Sequence, residues 1–279
     1  MNNKGAYIHA ANLGELTRDF HSPTQPPPII LSFHTLPTNH SHPQLVTLAM
    51  KQFVIIGGST GIGRSLAELL SADAQVTATY AHTQPEPLAN VNYVHFDVTN
   101  PNTDFSWLPE SIDGLAYCVG SITLKPFARI KPEEFIADYQ KQTLGAITSI
   151  QAALPALKTV AQSSVVMFST VAVQTGFPFH AMVASSKGAI EGLTRALAAE
   201  LAPKIRVNAI APSITQTPLA AALLNSPEKI EANANRHPLK KIGQPQDIAE
   251  LAAFLLSEKS SWITGQIHHI DGGISNIKV

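Results

Sequence analysis

The sequence predicts an α/β chain, a parallel sheet with helices on both faces. Three observations predict it. Short apolar runs alternate with helix-spaced stretches between residues 53 and 270. The first run ends in a glycine cluster that opens a helical pattern. The composition, 44% hydrophobic and 14% charged over 279 residues, is globular and too apolar for a disordered chain.

Each element follows from its local pattern. Phe53-Val54-Ile55-Ile56 is a short apolar run ending in glycines, hence a buried first strand. Residues 64–70 have helical spacing. Residues 75–80, 92–96 and 115–119 read as the second, third and fourth strands. Residues 132–157 read as one long helical stretch, and 164–169 as the fifth strand. An Ala-rich helix follows at 182–201, a sixth strand at 205–210, a helix at 247–256 and a last strand at 266–270. No internal repeat and no second domain interrupts this order, so residues 50–279 form one domain.

Residues 1–49 differ. They hold 5 of the 11 His and 6 of the 20 Pro and keep no sustained period. They read as a flexible leader, or as sequence upstream of a start at Met50. Their histidines could also be read as a metal cluster, but no metal is expected. A net charge of −1 argues against nucleic-acid and membrane partners, which need a basic surface. No apolar run approaches the roughly 20 residues of a membrane helix. Cys118, the only cysteine, excludes a disulfide framework and suggests a reducing, cytoplasmic location.

The glycine cluster reads Gly57-Gly58-Ser59-Thr60-Gly61-Ile62-Gly63. A pyrophosphate needs outward backbone N–H groups at a helix N-terminus, and only glycine lets the backbone come that close. The first strand–helix turn of an α/β chain is the context that supports this reading. The acid that would hold an adenosine ribose belongs at the end of the second strand. That strand ends in Thr79-Tyr80-Ala81-His82, without Asp or Glu. Tyr80 therefore marks a site that does not repel a 2′-phosphate, with Arg64 and His82 as sources of positive charge. NADP is favoured, and NAD stays open. Asp97 is placed to accept from an adenine amino group, with Val98 against the ring.

The chain resembles the short-chain dehydrogenase/reductase family over about residues 51–273. The motifs are the glycine loop, Asp97-Val98, Ala184-Ser185-Ser186-Lys187-Gly188-Ala189, Arg206-Val207-Asn208-Ala209-Ile210-Ala211-Pro212, Thr217-Pro218, Gly243-Gln244-Pro245 and Ile263-Thr264-Gly265-Gln266 through Asp271-Gly272-Gly273. The resemblance implies a single Rossmann-like, doubly wound domain with a seven-stranded parallel sheet. It implies hydride transfer between a nicotinamide and a small carbonyl or alcohol substrate. It also implies a homodimer or homotetramer built on the two long helices, and a substrate lid between Thr217 and His237.

The resemblance carries over residue by residue. Lys187 matches the lysine that holds the nicotinamide ribose. The proton-transferring tyrosine, four residues earlier, falls on Val183. Thr170 stands where a serine orients the substrate oxygen, and Gln142 where an asparagine anchors a water relay. Of the Asn-Asn-Ala-Gly stretch only Gly120 is kept. Pro212 keeps its place, but Ser213 replaces the glycine after it. Thr217 is expected to contact the nicotinamide carboxamide. Val183 cannot carry a proton, and His180 is the substitute the sequence offers, since imidazole titrates near neutrality. Two alternatives remain: a nicotinamide-binding protein with little turnover, and an enoyl-type reductase using His180.

Overall fold

The structure is a computed structural model that describes residues 50–278. The expectations for residues 1–49 lie outside the described residues. Seven parallel strands run in the order β3-β2-β1-β4-β5-β6-β7. They are β1 (Gln52–Ile56), β2 (Gln75–Tyr80), β3 (Val91–His95), β4 (Gly114–Tyr117), β5 (Ser163–Phe168), β6 (Ile205–Pro212) and β7 (Ile267–Ile270).

The near-continuous apolar strands are explained by burial on both faces. Successive strand residues point to opposite sides of a sheet. Val54 and Ile56 therefore enter one core, with Val165, Met167 and Val207. Phe53 and Ile55 enter the other, with Val166 and Phe168. The first core is closed by α3 (Gly145–Leu157) and α5 (Ala181–Leu201) through Ile150, Leu157, Ile190 and Leu201. The second is closed by α1 (Gly61–Leu70) and α7 (Pro245–Leu256) through Leu66, Leu70, Ile248 and Leu255. Strand order reverses between β1 and β4. A crevice opens outside the carboxyl ends of the strands at such a point.

Two expectations change. The stretch 132–157 is not one regular helix: α2 (Pro132–Tyr139) passes through a wide π-type turn at Gln140–Leu144 before α3. The turn brings the Gln142 amide into the interior, while the Tyr117 hydroxyl donates to the Lys141 carbonyl. Strand β4 stops at Tyr117, so Cys118 and Val119 lie beyond it, in the crevice. The segment 217–237 holds a 3₁₀ turn, Pro218–Leu223, and α6 (Pro227–Asn235). A four-residue helix, α4 (Ala172–Thr175), precedes α5. Among the described residues no helix is long and apolar enough to cross a membrane.

Candidate active site

The crevice has two connected parts. The first is a cleft of about 320 Å³ lined by the glycine loop, the end of β2 and the segment after β3. Two bonds pin the loop to β2: Gly57 N–H donates to Thr79 Oγ1 (2.9 Å) and Gly58 N–H to Thr79 O (2.8 Å). Gly57 has φ +84°, where a side chain is strained. A Cβ on Gly63 would lie 2.1 Å from Gly57 O, so only glycine lets helix α1 start against the strand. Ser59, Thr60, Gly61 and Ile62 line the cleft beside them, with Thr60 as the N-cap of α1.

At the end of β2 the cleft is lined by Tyr80, Ala81, His82 and Thr83, with no acid among them. Asp97 and Val98 form the neighbouring wall. One Asp97 oxygen, Oδ1, accepts from Thr99 N–H (2.8 Å) and Thr99 Oγ (2.7 Å). Oδ2 has no hydrogen bond among the described residues, so the cap leaves it open to an amino donor. These bonds hold the carboxyl below its ordinary range.

Arg64 is a correction. Its guanidinium donates to Glu68 (2.8 Å), to the Glu86 carbonyl and to the Tyr93 hydroxyl (2.9 Å), and it does not line the cleft. A neighbour at i+4 and a tyrosine on β3 hold it, a contact that spacing alone did not reveal. Lys141, which the sequence reading missed, lines the cleft instead, carried there by the π-type turn.

The second part is a mostly apolar cavity of about 250 Å³. It brings together Gly120, Gln142, Thr170, His180, Val183, Lys187, Pro212 and Thr217. Val183 and Lys187 share one face of α5, one turn apart. Thr170 Oγ1 accepts weakly from Ala172 N–H (3.3 Å), which leaves its proton free to donate. His180 caps α5, and its Nδ1 lies 2.8 Å from the Pro178 carbonyl. A carbonyl only accepts, so Nδ1 carries the proton and a neutral ring presents a bare Nε2. Cys118 packs half-buried against the second core, and burial pushes its thiol up to about 12, so it is no thiolate nucleophile.

Lys187 is 7% exposed. Desolvation brings its ammonium down to about 8, opposed by the negative Asp138. Asp138 was not foreseen. It is 6% exposed and accepts from Ser121 Oγ (2.6 Å), Gln142 Nε2 (2.8 Å) and Ser186 Oγ (2.6 Å). The one available signal was its position, i−4 from Gln142 within the stretch 132–157 that reads as helical. Gln142 Oε1 is buried without a hydrogen-bond partner among the described residues. A Cβ on Gly120 would lie 3.6 Å from that oxygen and 3.9 Å from Lys187 Nζ. A bare acceptor and a buried cation thus flank the glycine on the cavity floor, fit to bind hydroxyls. Together with the glycine cradle, these groups suit a dinucleotide whose pyrophosphate lies on the loop and whose second ribose lies at Lys187.

The chain is similar to several known proteins. A family model described as enoyl-(acyl carrier protein) reductase matches residues 57–275. A tropinone reductase homologue of Arabidopsis thaliana is 31% identical over 247 residues, covering 82% of this chain and 94% of its own. The L-xylulose reductase of Bos taurus is 29% identical over 236 residues, covering 81% and 97%. The solved structure of ElxO with NADP bound is 28% identical, with a TM-score of 0.72, covering 81% of this chain and 98% of that one.

Proposed function

The chain belongs to the short-chain dehydrogenase/reductase family, and from that premise we propose that it is an NADP(H)-dependent oxidoreductase acting on a small, fairly apolar carbonyl or alcohol compound. One observation carries this reading: a glycine-cradled cleft with no acid at the end of β2 opens into an apolar cavity floored by Lys187. When bound, the cofactor supplies or accepts a hydride at its nicotinamide ring. A similar protein solved with NADP bound supports the choice of dinucleotide.

The chain's own residues take the remaining roles. Gly57, Ser59, Thr60, Gly61, Ile62 and Gly63 hold the pyrophosphate. Tyr80 and His82 border the 2′-substituent, and Asp97 with Val98 the adenine. Lys187, Gly120, Pro212 and Thr217 hold the nicotinamide end. Thr170 orients the substrate oxygen through its hydroxyl. Gln142 keeps its Oε1 available to a water or hydroxyl beside Lys187. His180 stands on the cavity wall with Nε2 open, the enoyl-type alternative for proton transfer. Val183 favours a second reading, a cofactor-binding protein with little turnover, because an isopropyl group cannot exchange a proton.

Calorimetric titration with NADPH and NADH, followed by a carbonyl panel on the same preparation, tests the proposal. Tighter NADPH binding and turnover of at least one carbonyl compound are expected. Binding of neither nucleotide at millimolar concentration would remove the reading. Binding without turnover would leave the second one.

A further inference from the structure

Ser213 stands where the family keeps a glycine, and its hydroxyl does not face solvent alone. Its Oγ lies 2.8 Å from His237 Nε2, and His237 Nδ1 lies 2.8 Å from the Asn233 carbonyl. The carbonyl only accepts, so Nδ1 carries the proton. The neutral ring then accepts the Ser213 proton at Nε2. The arrangement is a hydroxyl, an imidazole base and an acceptor orienting the base, the order that activates a hydroxyl in nucleophilic and acid–base catalysis.

The pair is built rather than incidental. His237 is 3% exposed and follows directly on the last turn of α6. A Cβ on Gly272 would lie 3.4 Å from His237 Cβ and Cδ2, so the glycine makes room for the ring. Ser213 N–H donates to Ile270 O (3.1 Å), which fixes the residue at the end of the sheet. Both residues line the same cavity as Thr170, Val183 and Lys187. Val171 N–H donates to Pro212 O (3.2 Å), tying the Ser213 segment to the segment that carries Thr170.

We propose that Ser213 and His237 form the proton-transfer dyad of this cavity, supplying the step that Val183 cannot. The inference rests on the oxidoreductase reading. In reduction, a carbonyl carbon gains a hydride from a dihydronicotinamide and the C=O π pair moves onto oxygen. That oxygen takes the Ser213 proton as the Oγ–H bond breaks. Oγ takes the Nε2 proton of protonated His237, and water reprotonates the ring. In alcohol oxidation each proton moves in reverse, starting from the hydrogen-bond pattern observed. Ser213 touches the substrate oxygen; His237 acts through it.

The test has one readout without cofactor and one with it. Cofactor-free wild type is treated with phenylmethanesulfonyl fluoride. The Oγ–S bond forms, fluoride leaves and His237 takes the proton; the product is located by mass spectrometry. Modification at Ser213 is expected, slowed about 10²-fold in His237→Ala, the order of general-base assistance. Carbonyl reduction is expected to fall by a similar factor in Ser213→Ala and His237→Ala. Added imidazole should restore His237→Ala but not Ser213→Ala, which a merely structural role would not produce. Four results would each overturn the proposal alone: no sulfonylation of Ser213, reduction that survives both substitutions, loss without imidazole rescue, or reduction lost only in His180→Ala. Failure to bind NADPH, or an NADPH-bound wild type that reduces nothing, would instead sink the oxidoreductase reading and the proposal with it, whatever the sulfonylation shows.

Discussion

Val183 is 5% exposed and stands one turn before Lys187 on the cavity wall. Val183→Tyr would place a phenol beside that ammonium, whose charge lowers the phenol's pKa. If no other residue supplies the proton, carbonyl reduction should rise on the order of tens to thousands-fold in steady-state assays. Unchanged or reduced turnover would mean that the proton already has a source. Lys187 itself gives a pH signature. Its folded value of about 8 lies below the ordinary 10.5, so the folded protein binds its proton less well than the unfolded chain. The resulting cost to stability is fully present below about pH 8 and is relieved as pH rises towards 10.5. Over that window the cofactor-free wild type should gain stability relative to Lys187→Met, measured by urea unfolding at each pH. At this scale the glycine turn and the shared helix face of Val183 and Lys187 were legible because each follows from a fixed spacing. The fate of Arg64 was not, because Glu68 and Tyr93 together hold its guanidinium on terms set by distance.

Helix α2, the π-type turn and α5 meet at Asp138. Its carboxylate joins Ser121 beyond β4, Gln142 in the turn and Ser186 in α5. Asp138→Ala would leave three donors without their acceptor in a dry interior. A loss of about 2–5 kcal/mol is expected in denaturant unfolding, with weaker cofactor binding as Gln142 loses its anchor. A loss below about 1 kcal/mol would show that water replaces the carboxylate. The existence and order of helices and strands were legible from apolar periodicity. The π-type turn was not, since an inserted residue in a helix leaves the apolar spacing on either side nearly unchanged.

Among the described residues, the two cores draw their buried side chains from between Phe53 and Leu256, on both faces of one sheet. A chain beginning at Met50 is therefore expected to fold with a similar melting temperature and to keep its cofactor affinity. A large fall in either, by calorimetry, would show that the first 49 residues take part. Several apolar side chains stay exposed, among them Trp262 (99%), Phe127, Ile136 and Leu144. Burying such side chains stabilises association. A homodimer or homotetramer is the expected state, and a monomer mass by light scattering at micromolar concentration would contradict it.

Sequence alone determined what local pattern encodes. Runs of apolar residues set the α/β class and element order. The glycine spacing set the tight turn from β1 into α1, and the chain itself records that no acid directly follows Thr79 and that valine stands at 183. These properties repeat or fail along the chain itself. Tertiary structure decided which distant polar groups meet: Ser213 with His237, Asp138 with Ser186, Arg64 with Tyr93. A hydrogen bond needs a donor and an acceptor within about 3 Å and in line, and no period of hydrophobicity records that. Burial, likewise, is a property of the assembled fold, and it pulls the Lys187 ammonium's pKa down against the opposing charge of Asp138.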